Sequence, residues 1–175
     1  MAVWTHIAHT SLSLPAQTVT WSSISGSYDH LFIKASIRDD GSNYLSWSLM
    51  RFNDDTTNAY GNTRLYTSSN APVSSTSYLH AESGCWGQIA GASATAGCFS
   101  NMEIWIPNYS NSTGFKSVLV HSVVESKSTT NSQWLISQDA HLWHETDAIT
   151  QIDLLSYYDD FVAYSTFDLY GIKGA

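Results

Sequence analysis

The sequence predicts an all-β protein built as an antiparallel β-sandwich. No long segment of the 175 residues carries the i, i+3, i+4, i+7 apolar stripe of a surface helix. Instead, apolar and polar residues alternate in short runs. These runs are separated by turn-forming sequences at the spacing expected of β-hairpins. Charged residues make up 13%, about half the usual share, while 28 serines and 16 threonines supply the polar positions. We expect about eight to ten strands, preferably as a jelly roll of two four-stranded sheets, with a lectin-like or immunoglobulin-like sandwich as the alternative.

The individual strands follow from this alternation. In 28–38, Leu31, Ile33 and Ile37 share one parity and polar residues occupy the other. In 43–53, the parity of Trp47 and its leucine neighbours predicts that Trp47 lies in the core. Apolar residues fill both parities of 115–124, which indicates a central strand buried on both faces. The predicted strands are 17–23, 28–38, 43–53, 102–106, 115–124, 133–144, 148–155 and 164–172.

One domain accounts for most of the chain. We predict a single β-sandwich over 17–175, preceded by an extended arm over 1–16, and we expect 67–77 and 90–97 to be long surface loops because they are rich in Ser, Ala, Thr and Gly. The arm is apolar at Trp4, Ile7, Leu12 and Leu14. An exposed apolar segment favours pairing, so the arm should dock either on its own sheet or on a neighbouring subunit.

Composition and charge exclude several classes of protein. Seven Trp, ten Tyr and six Phe are too many for a disordered chain. A formal net charge of −8 with seven Lys and Arg disfavours binding to phosphate backbones, so we expect no nucleic-acid partner. No apolar run is long enough to span a membrane, and the first residues do not resemble a secretory signal. Cys85 and Cys98 are too few for a disulfide framework and are expected to be reduced thiols.

The histidines do not predict a metal site. His6 and His9 are three residues apart, as are His141 and His144. Residues i and i+3 of a regular strand point to opposite faces, so neither pair can chelate an ion unless a bulge intervenes. We therefore expect no metal ligands.

No catalytic residues or cofactors are predicted either. The adjacent acids Asp39-Asp40, Asp54-Asp55 and Asp159-Asp160 are typical of turns, with calcium binding as the alternative. No Gly-x-Ser-x-Gly nucleophile motif and no glycine-rich phosphate loop is present. The sequence therefore favours a protein that is not an enzyme.

The remaining candidates for function are aromatic. Trp105 is out of phase with its neighbours Ile104 and Ile106, so it should face away from the core. Exposed tryptophans stack on sugar rings or anchor protein interfaces. We therefore predict an interface formed by Trp105 together with the arm residues Trp4, Ile7, Leu12 and Leu14.

Two segments resemble a known family. Residues 50–60 contain Arg51-Phe52-Asn53 and Tyr60, and the last part of the chain contains Ala148-Ile149-Thr150 and, later, Leu169-Tyr170-Gly171. This pattern resembles small β-rich structural proteins of tailed bacteriophages, and the likeness extends over most of 17–172. The chain departs from the pattern at Asp54-Asp55, where Gly-Asp is common, so the type of turn stays open.

The resemblance implies a role in the virion and no catalytic residues. We expect a non-enzymatic capsid decoration or cement protein that forms homotrimers, contacts the major capsid protein or tail proteins, and reaches the virion by assembly in the host cytoplasm. The alternative is a receptor- or glycan-binding module of a tail fibre or baseplate.

Overall fold

The computed structural model describes residues 1–68, 72–80, 84–125 and 134–174, apart from the side chains of 78–80, 85 and 86. Cys98 is a free cysteine, whereas the side chain of Cys85 lies outside the described part. Twelve strands form within these ranges. They are β1 Val3–Ser11, β2 Thr18–Trp21, β3 His30–Ile37, β4 Leu45–Phe52, β5 Tyr60–Ser68, β6 Ser74–His80, β7 Gly84–Ala90, β8 Ser100–Pro107, β9 Lys116–Val124, β10 Leu135–Trp143, β11 Ile152–Ser156 and β12 Thr166–Lys173.

The strands form two antiparallel sheets packed against each other, which confirms the predicted β-sandwich. The larger sheet has the order β1-β12-β3-β8-β9-β10-β5-β6 and the smaller one β2-β11-β4-β7. Their facing sides share one apolar core, to which β3 and β8 contribute Ile33 and Ile104, and β11 contributes Ile152 and Leu154. All four side chains are fully buried. The described residues contain no helix long and apolar enough to cross a membrane.

Two hairpins widen the larger sheet. Strand β7 of the smaller sheet packs against β9 and β10 of the larger one, so the two sheets remain in contact beyond β8. β9 pairs with β10 and β5 pairs with β6, and both hairpins continue the larger sheet beyond β8. The outer face of this sheet is therefore eight strands wide.

The N-terminal arm is part of the sandwich. Residues 3–11 form β1, which pairs with β12 along its whole length, from Val3 opposite Lys173 to Ser11 opposite Thr166. Leu12 then donates a backbone hydrogen bond to Ser165. Of the two docking alternatives for the arm, the structure shows docking on the chain's own sheet.

Several local predictions were wrong. The strand count is twelve, because β1, β5, β6 and β7 do not show the expected apolar alternation. The predicted loop 67–77 is interrupted, since β5 runs to Ser68 and β6 begins at Ser74. The core face of β4 is also reversed: Ser48 and Met50 are buried while Trp47 is only partly buried. The Ser48 hydroxyl fits there because it donates a hydrogen bond to the Gly87 carbonyl across to β7.

Candidate interaction surface

An aromatic patch lies on the outer face of the larger sheet. It consists of Trp4 on β1, Phe32 on β3, Trp105 on β8 and Tyr170 on β12. The Trp4 ring centroid lies 5.3 Å from that of Phe32, 6.5 Å from that of Trp105 and 6.2 Å from that of Tyr170. Such separations are those of paired aromatic rings. The four rings thus form one contiguous surface.

Strand register creates this patch. Tyr170 pairs with Phe32, and Phe32 pairs with Trp105, so three of the rings lie in one row across β12, β3 and β8. The row continues to His6 on one side and to Leu119 on the other. Directly opposed side chains on one face of a sheet are close enough to touch. Register therefore aligns aromatic side chains on four neighbouring strands, with Leu119 of the fifth strand at the end of the row.

The patch is open to solvent. Trp4 is 54% exposed, and Phe32, Trp105 and Tyr170 are each partly exposed. A half-exposed tryptophan beside three other rings differs from the scattered single apolar residues of ordinary surfaces. Clustered rings of this kind are typical of binding surfaces.

An apolar groove lies on the same face of the widened part of the sheet. Leu65, Val73, Val123 and Ile136 line it, together with His121, and its volume is about 380 Å³. Ile136 is 58% and Leu65 is 50% exposed. The outer face of the larger sheet therefore carries two separate apolar areas, the aromatic patch and this groove.

Charges on this face are few and balanced near its centre. Lys34 on β3 lies opposite Glu103 on β8, with Nζ and Oε1 4.0 Å apart. Other acids lie in connecting segments, such as Asp40 after β3, and Asp159 and Asp160 after β11. Asp168 on β12 also lies on this face, where it accepts hydrogen bonds from His6 and His9. Most of the net negative charge of the chain therefore lies away from the outer face.

The residues predicted for the interface separate into three groups. Trp4 and Trp105 meet in the aromatic patch. Ile7 and Leu12 instead pack against the core, and Leu14 is 74% exposed beyond the end of β1. Sequence reasoning missed Phe32, although its position between the buried Leu31 and Ile33 gives the same out-of-phase signal that identified Trp105.

The residues of the first resemblance motif tie β4 to the segment before β11. Asn53 Nδ2 donates a hydrogen bond to the Ala148 carbonyl (2.8 Å), and its Oδ1 accepts from the backbone N–H groups of Thr150 (2.8 Å) and Gln151 (3.0 Å). Arg51 lies opposite Asp153 in the adjoining ladder. Asn53 therefore joins the end of β4 to the segment 148–151.

The turn after Phe52 has a defined conformation. Asn53 and Asp54 have φ of 51° and 55°, and the Asp55 N–H donates to the Phe52 carbonyl at 2.9 Å. Two left-handed central residues with this hydrogen bond define a type I′ turn.

Tyr60 closes the turn. Its hydroxyl accepts a hydrogen bond from the Phe52 N–H at 3.1 Å and donates to the Asp55 carbonyl at 3.2 Å. Burial raises the pKa of Tyr60 well above its ordinary value, so the hydroxyl stays protonated and keeps donating. At Asp55, hydrogen bonds from Thr57 and Trp143 outweigh the effect of burial and lower the pKa of the carboxyl.

Each residue of the Leu169-Tyr170-Gly171 motif has a different structural environment. Leu169 is fully buried in the core, and Tyr170 joins the aromatic patch. Gly171 lies against the ring of Tyr28, where any Cβ would collide with ring carbons.

A buried polar cluster lies between the widened sheet and β7. Asp139 on β10 is opposite Arg64 on β5, with Oδ1 and Nε 3.4 Å apart and side-chain exposures of 0% and 2%. Arg64 also donates from Nη1 to Gln88 Oε1 at 3.1 Å, and its guanidinium lies over the ring of Tyr66. Burial raises the pKa of Asp139 to about 6, although Arg64 opposes the shift.

This cluster does not present a reactive group to solvent. Both members of the ion pair are enclosed by protein, so they can fix the pairing of β5 with β10 but cannot reach a substrate in this conformation.

Searches of protein-family models and of curated proteins find no match to this chain. The fold and the surface define its class as an antiparallel β-sandwich with an exposed aromatic face on the larger sheet.

Proposed function

We propose that this protein is a non-enzymatic structural protein that associates with copies of itself through the outer face of its larger sheet. The observation that supports this proposal is the contiguous aromatic patch of Trp4, Phe32, Trp105 and Tyr170. A large apolar face in a soluble domain favours burial against a partner, because each Å² of apolar surface removed from water contributes about 25 cal/mol.

A second copy of the chain is the partner that the charges favour. The Lys34–Glu103 pair leaves the middle of the face neutral, so two negatively charged copies can meet there without bringing unpaired acids together. Closed symmetry is the usual arrangement of such assemblies, and we propose a homotrimer in which the outer face of each copy lies towards the threefold axis and contacts both neighbours.

The frame of the sandwich supports this proposal through its strand order. Eight strands in the orders β1-β12-β3-β8 and β2-β11-β4-β7 fit a jelly roll with two added hairpins, which is how we interpret the fold. Capsid proteins are among the known users of jelly rolls. The fold alone does not specify a function.

The setting we propose is the virion of a tailed bacteriophage, where the protein decorates the outer capsid surface and stabilises it by binding the major capsid protein. The support is the resemblance of the Arg51-Phe52-Asn53 and Leu169-Tyr170-Gly171 segments to structural proteins of such phages. In this account the outer face of the sheet joins the copies, and the rest of the surface remains available for the capsid.

The test is made on purified particles of the virus that encodes the chain. A decoration protein should be present in several copies per capsomer, and particles that lack it should release their DNA at lower temperature than complete particles. Restoring the purified protein should restore that temperature. A copy number of a dozen or fewer per particle, or particles equally stable without the protein, would contradict the proposal.

A glycan-binding module of a tail fibre or baseplate is the second candidate. It is favoured by the 54% exposure of Trp4, because an accessible indole face can stack on a sugar ring. Titration of host surface polysaccharide fragments while indole fluorescence is followed would support this function if Trp4→Thr abolished a saturable change. An unchanged emission spectrum would exclude it for those glycans.

A further inference from the structure

A β-bulge in β1 brings two histidines to the same face of the sheet. His6 pairs with Tyr170 but Ala8 already pairs with Leu169, so Ile7 is an extra residue in the ladder. Ile7 and Ala8 both pack towards the core. As a result, His6 and His9 both point outward, although a regular strand would separate them.

Asp168 lies between these histidines. It is directly opposite His9 on β12, and its Oδ1 is 2.8 Å from His9 Nδ1 and 3.0 Å from His6 Nε2. The three ligand atoms all lie within 4.8 Å of one another.

We propose that His6, His9 and Asp168 form a binding site for a divalent transition-metal ion of the Zn²⁺ class. Two imidazoles and one carboxylate are ligands that Zn²⁺ takes, whereas Ca²⁺ and Mg²⁺ prefer oxygen donors alone. Bond lengths of about 2.1 Å in a tetrahedral site place ligand atoms about 3.4 Å apart. Small side-chain rotations that widen the observed 2.8 and 3.0 Å contacts are therefore enough to admit the ion.

The site has an open fourth position. The side chains of His6 and His9 are 48% and 50% exposed and that of Asp168 is 27% exposed, so a water molecule or a donor from another molecule can complete the coordination. The bound ion joins β1 to β12, the two strands that the ligands come from. The His6 ring also lies 5.2 Å from Tyr170, which places the ion at the rim of the aromatic patch. The proposal does not depend on the function proposed above.

The test is calorimetric titration of the full, untagged chain with Zn²⁺ at neutral pH. We expect one ion per chain and visible absorption of tetrahedral type when Co²⁺ replaces Zn²⁺. His9→Ala and Asp168→Asn should each weaken binding at least about tenfold. The matched control is His121→Ala. This change removes an exposed histidine of β9 that lies on the same face of the larger sheet as His6 and His9, and the variant should bind Zn²⁺ as the wild type does.

Circular dichroism of each variant verifies that the sandwich is folded, and Asp168→Asn preserves the shape of the side chain if His9→Ala does not fold. Absence of Zn²⁺ binding would overturn the proposal and leave Asp168 as an acceptor of two hydrogen bonds. Equal binding by the wild type and Asp168→Asn, or a loss of binding in His121→Ala, would overturn it as well, because the ion would then bind elsewhere.

Discussion

Replacement of Asn53 by alanine should destabilise the sandwich more than any other single change in its turns. The side chain makes four hydrogen bonds: one to the Ala148 carbonyl, two from Thr150 and one from the Gln151 N–H. At about 1 kcal/mol each, the sum is about 4 kcal/mol. Because Thr150 is exposed, water can take over some of its hydrogen bonds in the variant. We therefore expect the lost hydrogen bonds to lower the free energy of unfolding by about 2 kcal/mol.

Backbone conformation adds to this cost. Asn53 has φ of 51°. In this left-handed region alanine is about 1 kcal/mol less stable than glycine. Asn53→Ala should therefore lower the free energy of unfolding by about 3 kcal/mol and Asn53→Gly by about 2 kcal/mol.

Urea unfolding at equilibrium measures both values, since the midpoint shifts at constant slope when only stability changes. Asn58→Ala is the control, because Asn58 is exposed in the same connecting segment and should change stability by less than about 0.5 kcal/mol. A loss below about 1 kcal/mol for Asn53→Ala would refute the role of this side chain. Equal losses for alanine and glycine would refute the conformational part.

Three further changes test the buried parts of the structure. Because burial raises the pKa of Asp139 to about 6 from 3.8, its stabilising contribution is fully present below about pH 4 and is lost as the pH rises through 6. Relative to Asp139→Asn, the wild type should thus gain up to about 3 kcal/mol in unfolding free energy when the pH is lowered from 7 to 4. If the difference in unfolding free energy between the two proteins did not change with pH, burial of the Asp139 carboxyl would be contradicted. Arg64→Ala leaves a buried carboxylate unpaired and should cost about 3 to 5 kcal/mol in the same assay at neutral pH, whereas an exposed pair would cost under 1 kcal/mol. Gly171→Ala should cost about 1 to 3 kcal/mol through overpacking, and a second change, Tyr28→Ala, should remove most of that cost if the Tyr28 ring is what the new methyl meets.

The strands with regular alternation could be predicted from the sequence. In β3, and in β8 from Met102 onward, every second residue is apolar and buried, so the hydrophobic effect and the two-residue period select the same face. The outward position of Trp105 followed from the same rule. Phe32 could have been found in this way too.

Other elements could not be predicted because polar groups occupy buried positions. β5 directs Asn62 and Arg64 inward, and these side chains resemble a solvated face unless their partners on β10 and β7 are known. In β4 the inward residues include Ser48, whose hydroxyl has a partner on β7. Such hydrogen bonds form between strands distant in sequence, and no local pattern specifies them.

The histidine site depends on one irregularity in register. The three-residue spacing of His6 and His9 indicated opposite faces, and only the extra residue at Ile7 reverses that conclusion. Nothing in the apolar pattern of β1 marks this bulge, because Ile7 and Ala8 are both compatible with a regular strand.

Sedimentation equilibrium of the purified chain tests whether the protein self-associates through the aromatic patch. Truncation of β1 would uncover β12, so the variant to use is Trp4→Thr with Trp105→Thr, which retains strand-forming residues. Tyr158→Thr is the control, since Tyr158 is 76% exposed outside the strands. We expect a wild-type trimer that is unchanged in the control and dissociated in the double variant. A monomeric wild type, or a double variant that associates as the wild type does, would contradict it.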